Sequence, residues 1–294
     1  MKRLAGAVLT LLALAPAPCT SVIVWAAALD SDARANLAQL PKVTTPRVYV
    51  LNCGELISNN PELYSLSREE VADTNMPVTC YLVVHPKGIL LYDTGLADRL
   101  VGRPVWENIV EGYGEIKTTT LVSELANIGV TPADVTYIAL SHMHFDHAGN
   151  AGLFNRSTWL TTRAEQAEMF AASRPGHFAD YADLESARKV VYDGDHDVFG
   201  DGTVVLKSTP GHTPGHQSLF LKLAKTGNVL VSGDLYHYTE ELTKGRMPPG
   251  EMKTATPASR QAMVEFVSQT KAQLWIGHST GFYRSALKSP AWYE

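Results

Sequence analysis

Thiols, charges and long apolar runs are all scarce in this 294-residue chain, and each scarcity excludes a class of protein. There are three cysteines, Cys19, Cys53 and Cys80. Cys19 falls in a segment that reads as a leader, so a processed chain keeps two and closes at most one bond. Nothing in the spacing brings Cys53 and Cys80 together. Buried free cysteine on a strand is the commoner arrangement, so two reduced thiols are expected; a disulfide in an oxidising compartment is the alternative. Charged residues make up 19% of the chain and the formal net charge is −5, which gives no electrostatic basis for binding nucleic acid or an anionic membrane. No internal repeat or low-complexity tract is visible. The apolar run over residues 4–15 is broken by Pro16 and Pro18 and is too short to span a bilayer. It follows Lys2 and Arg3 and precedes small residues at 13–17 and 26–28, the pattern of a signal peptide. Cys19 is preceded by Pro18 instead of the small residue of a lipoprotein site. The expectation is a leader over residues 1–28, export to the periplasm or secretion, and no stable membrane insertion afterwards. Residues 29–294 would form the mature domain; hydrophobic residues are 45% of the chain, enough for a sizeable core. Composition leaves the oligomeric state open, a homodimer included.

Against this plain background stands one unusual stretch, residues 137–150, YIALSHMHFDHAGN. Its first residues read as a short buried strand. That strand runs into His142, His144, Asp146 and His147, three imidazoles and a carboxylate within six residues. Such donors suit borderline cations like zinc. Alternation along a loop aims His142 and His144 the same way, while the turn carries Asp146 and His147 to a second position, so the spacing suggests two adjacent metals.

The rest of the chain reads as an α/β protein. Strands are expected over residues 47–53, 78–84, 88–92, 157–161, 203–208, 217–223, 228–232 and 272–276. Helices are expected over 118–128, 163–172 and 257–270. Residues 55–75 read as a polar surface excursion, and 173–201 as an aperiodic, substrate-facing insertion. Several expected strands end in metal-type residues: His142 to His147, then His212 in TPGHTPGH, Asp234 in SGD and His278 in IGH. Asp93, at the end of another strand, could orient a ligating histidine. A single buried histidine is usually structural, but four such strand ends converge on a site.

The motifs SHMHFDHAGN, LYDTG, TPGHTPGHQS, SGD and IGH together resemble the metallo-β-lactamase superfamily, and within it the N-acyl homoserine lactonase branch of quorum-quenching lactonases. They extend over residues 78–278. The resemblance implies an αβ/βα four-layer sandwich with its site at one edge of two sheets. It also implies two Zn²⁺, or other divalent transition metals, per chain. By position, His142, His144 and His212 would hold one metal, Asp146, His147 and His278 the other, and Asp234 would bridge them. The family ligand is the first His of TPGHTPGH, which leaves His216 in a supporting or structural role. Lactonases of this kind carry a tyrosine three residues after the bridging aspartate. Here His237 stands there, flanked by Tyr236 and Tyr238, and Ser279 follows the last histidine where close relatives have aspartate.

The implied reaction is hydrolytic opening of a lactone, N-acyl homoserine lactone foremost. Two metals a few ångströms apart bring a bridging water's pKa near neutrality and stabilise the developing oxyanion. Asp146 would carry a proton, and His237 or Tyr236 would donate a hydrogen bond. The alternative, suggested by the Gly-Asp-Leu-x-His form, is a phosphotriesterase or arylesterase on the same metal pair. Metal-centred sulfur or redox chemistry and a non-catalytic binding module are the remaining readings. Trp106, Phe145, Phe178, Tyr181 and Tyr238 are the candidates to line a substrate cleft.

Overall fold

The computed structural model describes residues 42–105, 109–110, 113–172 and 178–294. The expected leader, Cys19 and Trp106 lie outside these residues. In chain order the described segment runs β1 (Arg47–Ile57), β2 (Met76–His85), β3 (Gly88–Tyr92), β4 (Ile109–Val110), β5 (Tyr113–Ile116), α1 (Leu121–Ala126), β6 (Tyr137–Ala139), α2 (Phe145–Ala148), β7 (Thr158–Thr162), α3 (Arg163–Met169), α4 (Phe178–Tyr181), β8 (Lys189–Tyr192), β9 (His196–Asp197), β10 (Val204–Ser208), β11 (Gln217–Leu223), β12 (Gly227–Val231), α5 (Thr239–Lys244), α6 (Ala255–Thr270), β13 (Gln273–Trp275) and α7 (Thr280–Ser285).

Two mixed sheets result. One has the order β4-β5-β1-β2-β3-β6-β7-β8, the other β13-β12-β11-β10-β9. In the first, β1, β2 and β3 pair antiparallel, whereas β3, β6, β7 and β8 are parallel neighbours. The side-chain alternation of a strand sorts residues between two faces. Val48 and Val50, Tyr81 and Val83, and Leu90 and Tyr92 point into a core shared with Leu206, Leu219, Leu221 and Val229 of the second sheet. Their alternates Tyr49, Leu51, Leu82, Ile89 and Leu91 pack outward against Leu121 and Leu125 of α1 and Met169 of α3. On the far side of the second sheet, Phe220 and Leu230 meet Met263, Phe266 and Val267 of α6. The layers are therefore helix, sheet, sheet, helix, as the family resemblance implies.

Helix ends follow local chemistry. The Thr120 side chain accepts the Ser123 N–H at 3.0 Å to start α1, and Thr162 does the same for Glu165 at the start of α3. Two expectations are corrected. Residues 55–75 are not a surface excursion: β1 continues to Ile57, and Tyr64, Leu66 and Val71 are buried in the first core. Residues 173–201 contain β8, added in parallel register to β7, and Tyr181, fully buried in that core. A polar composition hid both, because a few well-spaced apolar residues suffice once a neighbouring strand supplies the partner. Cys53 and Cys80 form a disulfide across β1 and β2, with a Cα–Cα distance of 5.9 Å. The expectation of free thiols fails because a bulge between Asn52 and Gly54 sets the register that places Cys53 beside Cys80.

Candidate metal centre

The site is assembled from loops that leave strands of both sheets. β3 ends in Asp93, whose backbone is left-handed at φ 63°, uncommon for a residue with a side chain and typical of functional turns. Its Oδ1 accepts the Ser141 N–H at 2.6 Å and its Oδ2 faces His147 Nδ1 at 2.9 Å. One carboxylate thus fixes both the start of the histidine loop and one of its rings. Asn150, at the far end of the motif, donates to the carbonyls of Thr94 and Leu96, both at 2.7 Å. Gly149 lies so close to this loop that a Cβ there would stand 2.5 Å from Ala97 N and Gly95 O. The His loop and the Asp93 loop therefore form one rigid mount.

Two clusters of donor atoms meet at Asp234. In the first, His142 Nε2 and His212 Nε2 lie 2.8 and 2.9 Å from His144 Nδ1. Asp234 Oδ2 is 3.7 Å from His142 Nε2 and 3.5 Å from His212 Nε2. In the second, His147 Nε2 and His278 Nε2 are 3.3 Å apart. Asp146 Oδ2 is 3.5 and 3.3 Å from them, and Asp234 Oδ1 is 3.2 Å from each. Ligands at ~2.0–2.1 Å on a tetrahedral zinc are separated by ~3.3–3.4 Å; the second cluster, at 3.2–3.5 Å, is close to this, and the first spreads on either side of it, from 2.8 to 3.7 Å.

The protonation pattern supports cations as well. His147 Nδ1, His212 Nδ1 and His278 Nδ1 face Asp93, Glu251 Oε1 at 3.0 Å and the Pro77 carbonyl at 2.9 Å. In the neutral form of each ring those nitrogens carry the hydrogen and the Nε2 lone pair turns inward. Asp234 Oδ1 is buried and faces the Nε2 atoms of His147 and His278 at 3.2 Å each. With the rings neutral these are acceptors crowded against an acceptor, a contact relieved either by a proton on the ring or by a cation between them. The donor set of imidazole and carboxylate suits zinc-class metals.

Burial pushes His144 down to about 3 and His142 well below its ordinary value. Burial also disfavours charge on His278, yet Asp234 and Asp146 outweigh it and raise that ring to about 9. A cation and this proton compete for one lone pair, so cation binding expels protons.

Supporting residues come from elsewhere in the chain. His216 is not turned inward with the donors. Its Nε2 accepts the Asp234 N–H at 2.9 Å and its Nδ1 donates to the Thr209 carbonyl at 3.1 Å, so it orients the bridging residue. Glu165 of α3, fully buried, accepts from Met143 N, Thr213 Oγ1 and Gly215 N at 2.8, 2.6 and 3.2 Å, tying the two histidine loops together. Burial raises its carboxyl to about 7. Glu251 stands behind His212. Sequence reasoning missed Glu165 and Glu251, since neither lies near a ligand in the chain.

The remaining expected residues divide. His237 is present, its Nε2 3.3 Å from Asp234 Oδ2. Tyr236 is not: its ring packs in the outer core with Leu235 and Met263, beneath the Arg260 guanidinium at 4.5 Å. Phe145, Tyr181 and Tyr238 are buried in the first core and Phe178 packs against it; Tyr238 donates to the Thr74 carbonyl at 2.6 Å. An open cleft of about 640 Å³ beside the first cluster is lined instead by Leu63, Tyr64, Tyr113 and Pro248, together with His144, His212 and His237. Tyr64 packs on His237 with ring centroids 4.6 Å apart, and its hydroxyl meets that of Tyr113 at 2.6 Å.

Residues 73–270 match the sequence profile of the metallo-beta-lactamase superfamily. Among curated relatives, the N-acyl homoserine lactonase AttM of Azorhizobium caulinodans is 29% identical over 264 residues, 86% of this chain and all of that one. An N-acyl homoserine lactonase of a Bacillus species is 32% identical over 243 residues, 80% of this chain and 94% of that one. Among solved structures, an N-acyl homoserine lactone hydrolase with the product N-hexanoyl-L-homoserine bound at its catalytic metal center superposes with a TM-score of 0.72 at 28% identity, covering 85% of this chain and all of that one.

Proposed function

The chain belongs to the metallo-beta-lactamase superfamily, and from that membership we propose that it is a dinuclear, metal-dependent lactonase acting on N-acyl homoserine lactones. The observation that carries this reading is Asp234, whose two oxygens each face a separate cluster of ring nitrogens. The relatives named as lactonases, each aligned over most of its length, support the substrate class.

His142, His144 and His212 would hold one Zn²⁺, Asp146, His147 and His278 the second, with Asp234 between. Bound there, the cations supply a water of lowered pKa and a Lewis acid for the carbonyl. The chain's own residues do the rest. Asp93, Glu165 and His216 hold the loops that carry the donor atoms in place, so little reorganisation is needed. Asp146, buried beside His278, takes the proton lost by the attacking water and delivers it to the departing ring oxygen. Water adds to the carbonyl carbon, the ring C–O bond breaks, and the products are a carboxylic acid and a free hydroxyl. The cleft, within the roughly 300–1,000 Å³ usual for small ligands, offers Leu63, Tyr64 and Pro248 to an acyl chain and His237 to the polar head. The Cys53–Cys80 disulfide supports export to an oxidising compartment, in keeping with the leader.

The test is proton release from N-hexanoyl-L-homoserine lactone by zinc-loaded mature protein, with a chelated control and an aryl phosphotriester in parallel. Chelator-sensitive lactone opening, faster than phosphotriester cleavage, is expected. Phosphotriester cleavage with inert lactone would overturn the substrate assignment.

A further inference from the structure

One rule of ring orientation in the metal centre extends to a residue beside it. In His147, His212 and His278 the Nδ1 faces a protein acceptor and the Nε2 faces the cluster. His237 follows the same pattern: its Nδ1 lies 3.2 Å from Glu241 Oε1, and its Nε2 lies 3.3 Å from Asp234 Oδ2. Glu241, on the first turn of α5, is fully buried. Its Oε1 also accepts the backbone N–H groups of His237 at 2.9 Å and Tyr238 at 3.1 Å. Its Oε2 meets Arg260 Nη2 at 2.5 Å, an ion pair that leaves no proton on either oxygen. A carboxylate in that state can only accept, so the His237 Nδ1 must be the donor.

Arg260 is itself fixed. Its Nε donates to the Leu235 carbonyl at 2.9 Å, and its guanidinium lies over the Tyr236 ring. An unbroken run of contacts thus leads from α6 through Arg260 and Glu241 to the wall of the cleft. It also gives Tyr236 a part, as the surface on which Arg260 rests.

We propose that Glu241, braced by Arg260, is a positioning residue that holds His237 with Nδ1 protonated and Nε2 turned to the cleft beside Asp234. The proposal rests on the lactonase reading for its effect on rate and on geometry alone for its effect on the ring. A bare helix-capping role for Glu241 would account for the two backbone contacts but not for a coupling to the imidazole.

The experiment compares zinc-loaded wild type with E241A, E241Q, H237A and H237A/E241A. It measures opening of N-hexanoyl-L-homoserine lactone, zinc retention against a chelator, and the ring N–H signals of ¹⁵N-histidine-labelled protein. Loss of an orienting partner typically costs ~10–100-fold, so E241A should lower kcat by about that factor with both zinc ions retained. In the H237A background the same change should have no further effect, the mark of residues acting as one unit. The His237 Nδ1–H signal, identified by its loss in H237A, should vanish in E241A and persist in E241Q, which keeps an acceptor and should recover most of the rate. Equal rate losses in both backgrounds, or a His237 signal unmoved in E241A, would overturn the proposal. If E241A does not fold, E241D, which retracts the carboxylate from Nδ1, takes its place with the same expected outcomes. A wild type that opens no lactone would sink the substrate reading, while the ring signal would still decide the role of Glu241.

Discussion

The Cys53–Cys80 bond sets up the most direct quantitative test of how this fold is held. It joins residues 27 apart in the chain. A cross-link of that span removes about 12 cal/mol/K of entropy from the unfolded ensemble, about 3.5 kcal/mol at 25 °C. In a domain of this size each kcal/mol moves the melting temperature by about 2–4 °C, so losing the bond should lower Tm by about 7–14 °C. Both cysteines are fully buried, and alanines at the two positions also remove packed sulfur, so C53A/C80A should fall at least that far. The bond sits behind the Asp93 loop: the Cys53 carbonyl accepts the Leu96 N–H at 3.1 Å, and a Cβ on Gly95 would stand 2.3 Å from Cys53 Cβ. The assay is thermal unfolding of mature wild type, with thiol titration verifying the oxidised state, against C53A/C80A. Melting points within about 2 °C of each other would refute the argument, and with it the bond as a stabilising element.

Three further outcomes are expected. Chelation should lower stability as well as activity, because a cation held at ~1,000 times its dissociation constant stabilises the native state by ~4 kcal/mol per site; an unchanged melting curve after metal analysis shows the cations removed would contradict the cluster geometry. Glu251→Ala should weaken retention of one cation by ~10–100-fold through His212, read by chelator competition, and equal retention would show that the 3.0 Å contact is idle. Gly149→Ala drives a Cβ to 2.5 Å from two backbone atoms of the neighbouring loop, which should cost at least ~1–3 kcal/mol; a denaturation midpoint equal to wild type would mean the two loops are not a rigid mount.

Much of the site could be read from the sequence because its donors are local. His142, His144, Asp146 and His147 sit within six residues, and His212, Asp234 and His278 each follow a short apolar run. The existence of β1, β2 and β3 was legible in the same way, from short apolar runs bounded by turn residues, while the core that each face meets came from the structure. Asp93 was visible as a carboxylate at a strand end, and the structure adds its partner, His147, 54 residues away.

Other features depended on contacts that no local pattern records. Tyr236 and His237 are neighbours in an extended segment, so their side chains leave on opposite sides; only the position of α6 and Arg260 decided that the tyrosine went outward. Glu165 and Glu251 support rings and loops tens of residues distant, and the Cys53–Cys80 pairing turns on a one-residue bulge. Tyr64, read as part of a polar excursion, meets Tyr113 at the cleft, while Phe145, Tyr181 and Tyr238, expected there, are buried in the core. Residue type and spacing, then, determined by themselves which atoms can bind a cation. Which face each neighbour turns, and which carboxylate stands behind each ring, was decided by chain crossings between the two sheets, because burial and hydrogen-bond satisfaction are settled only when distant segments meet.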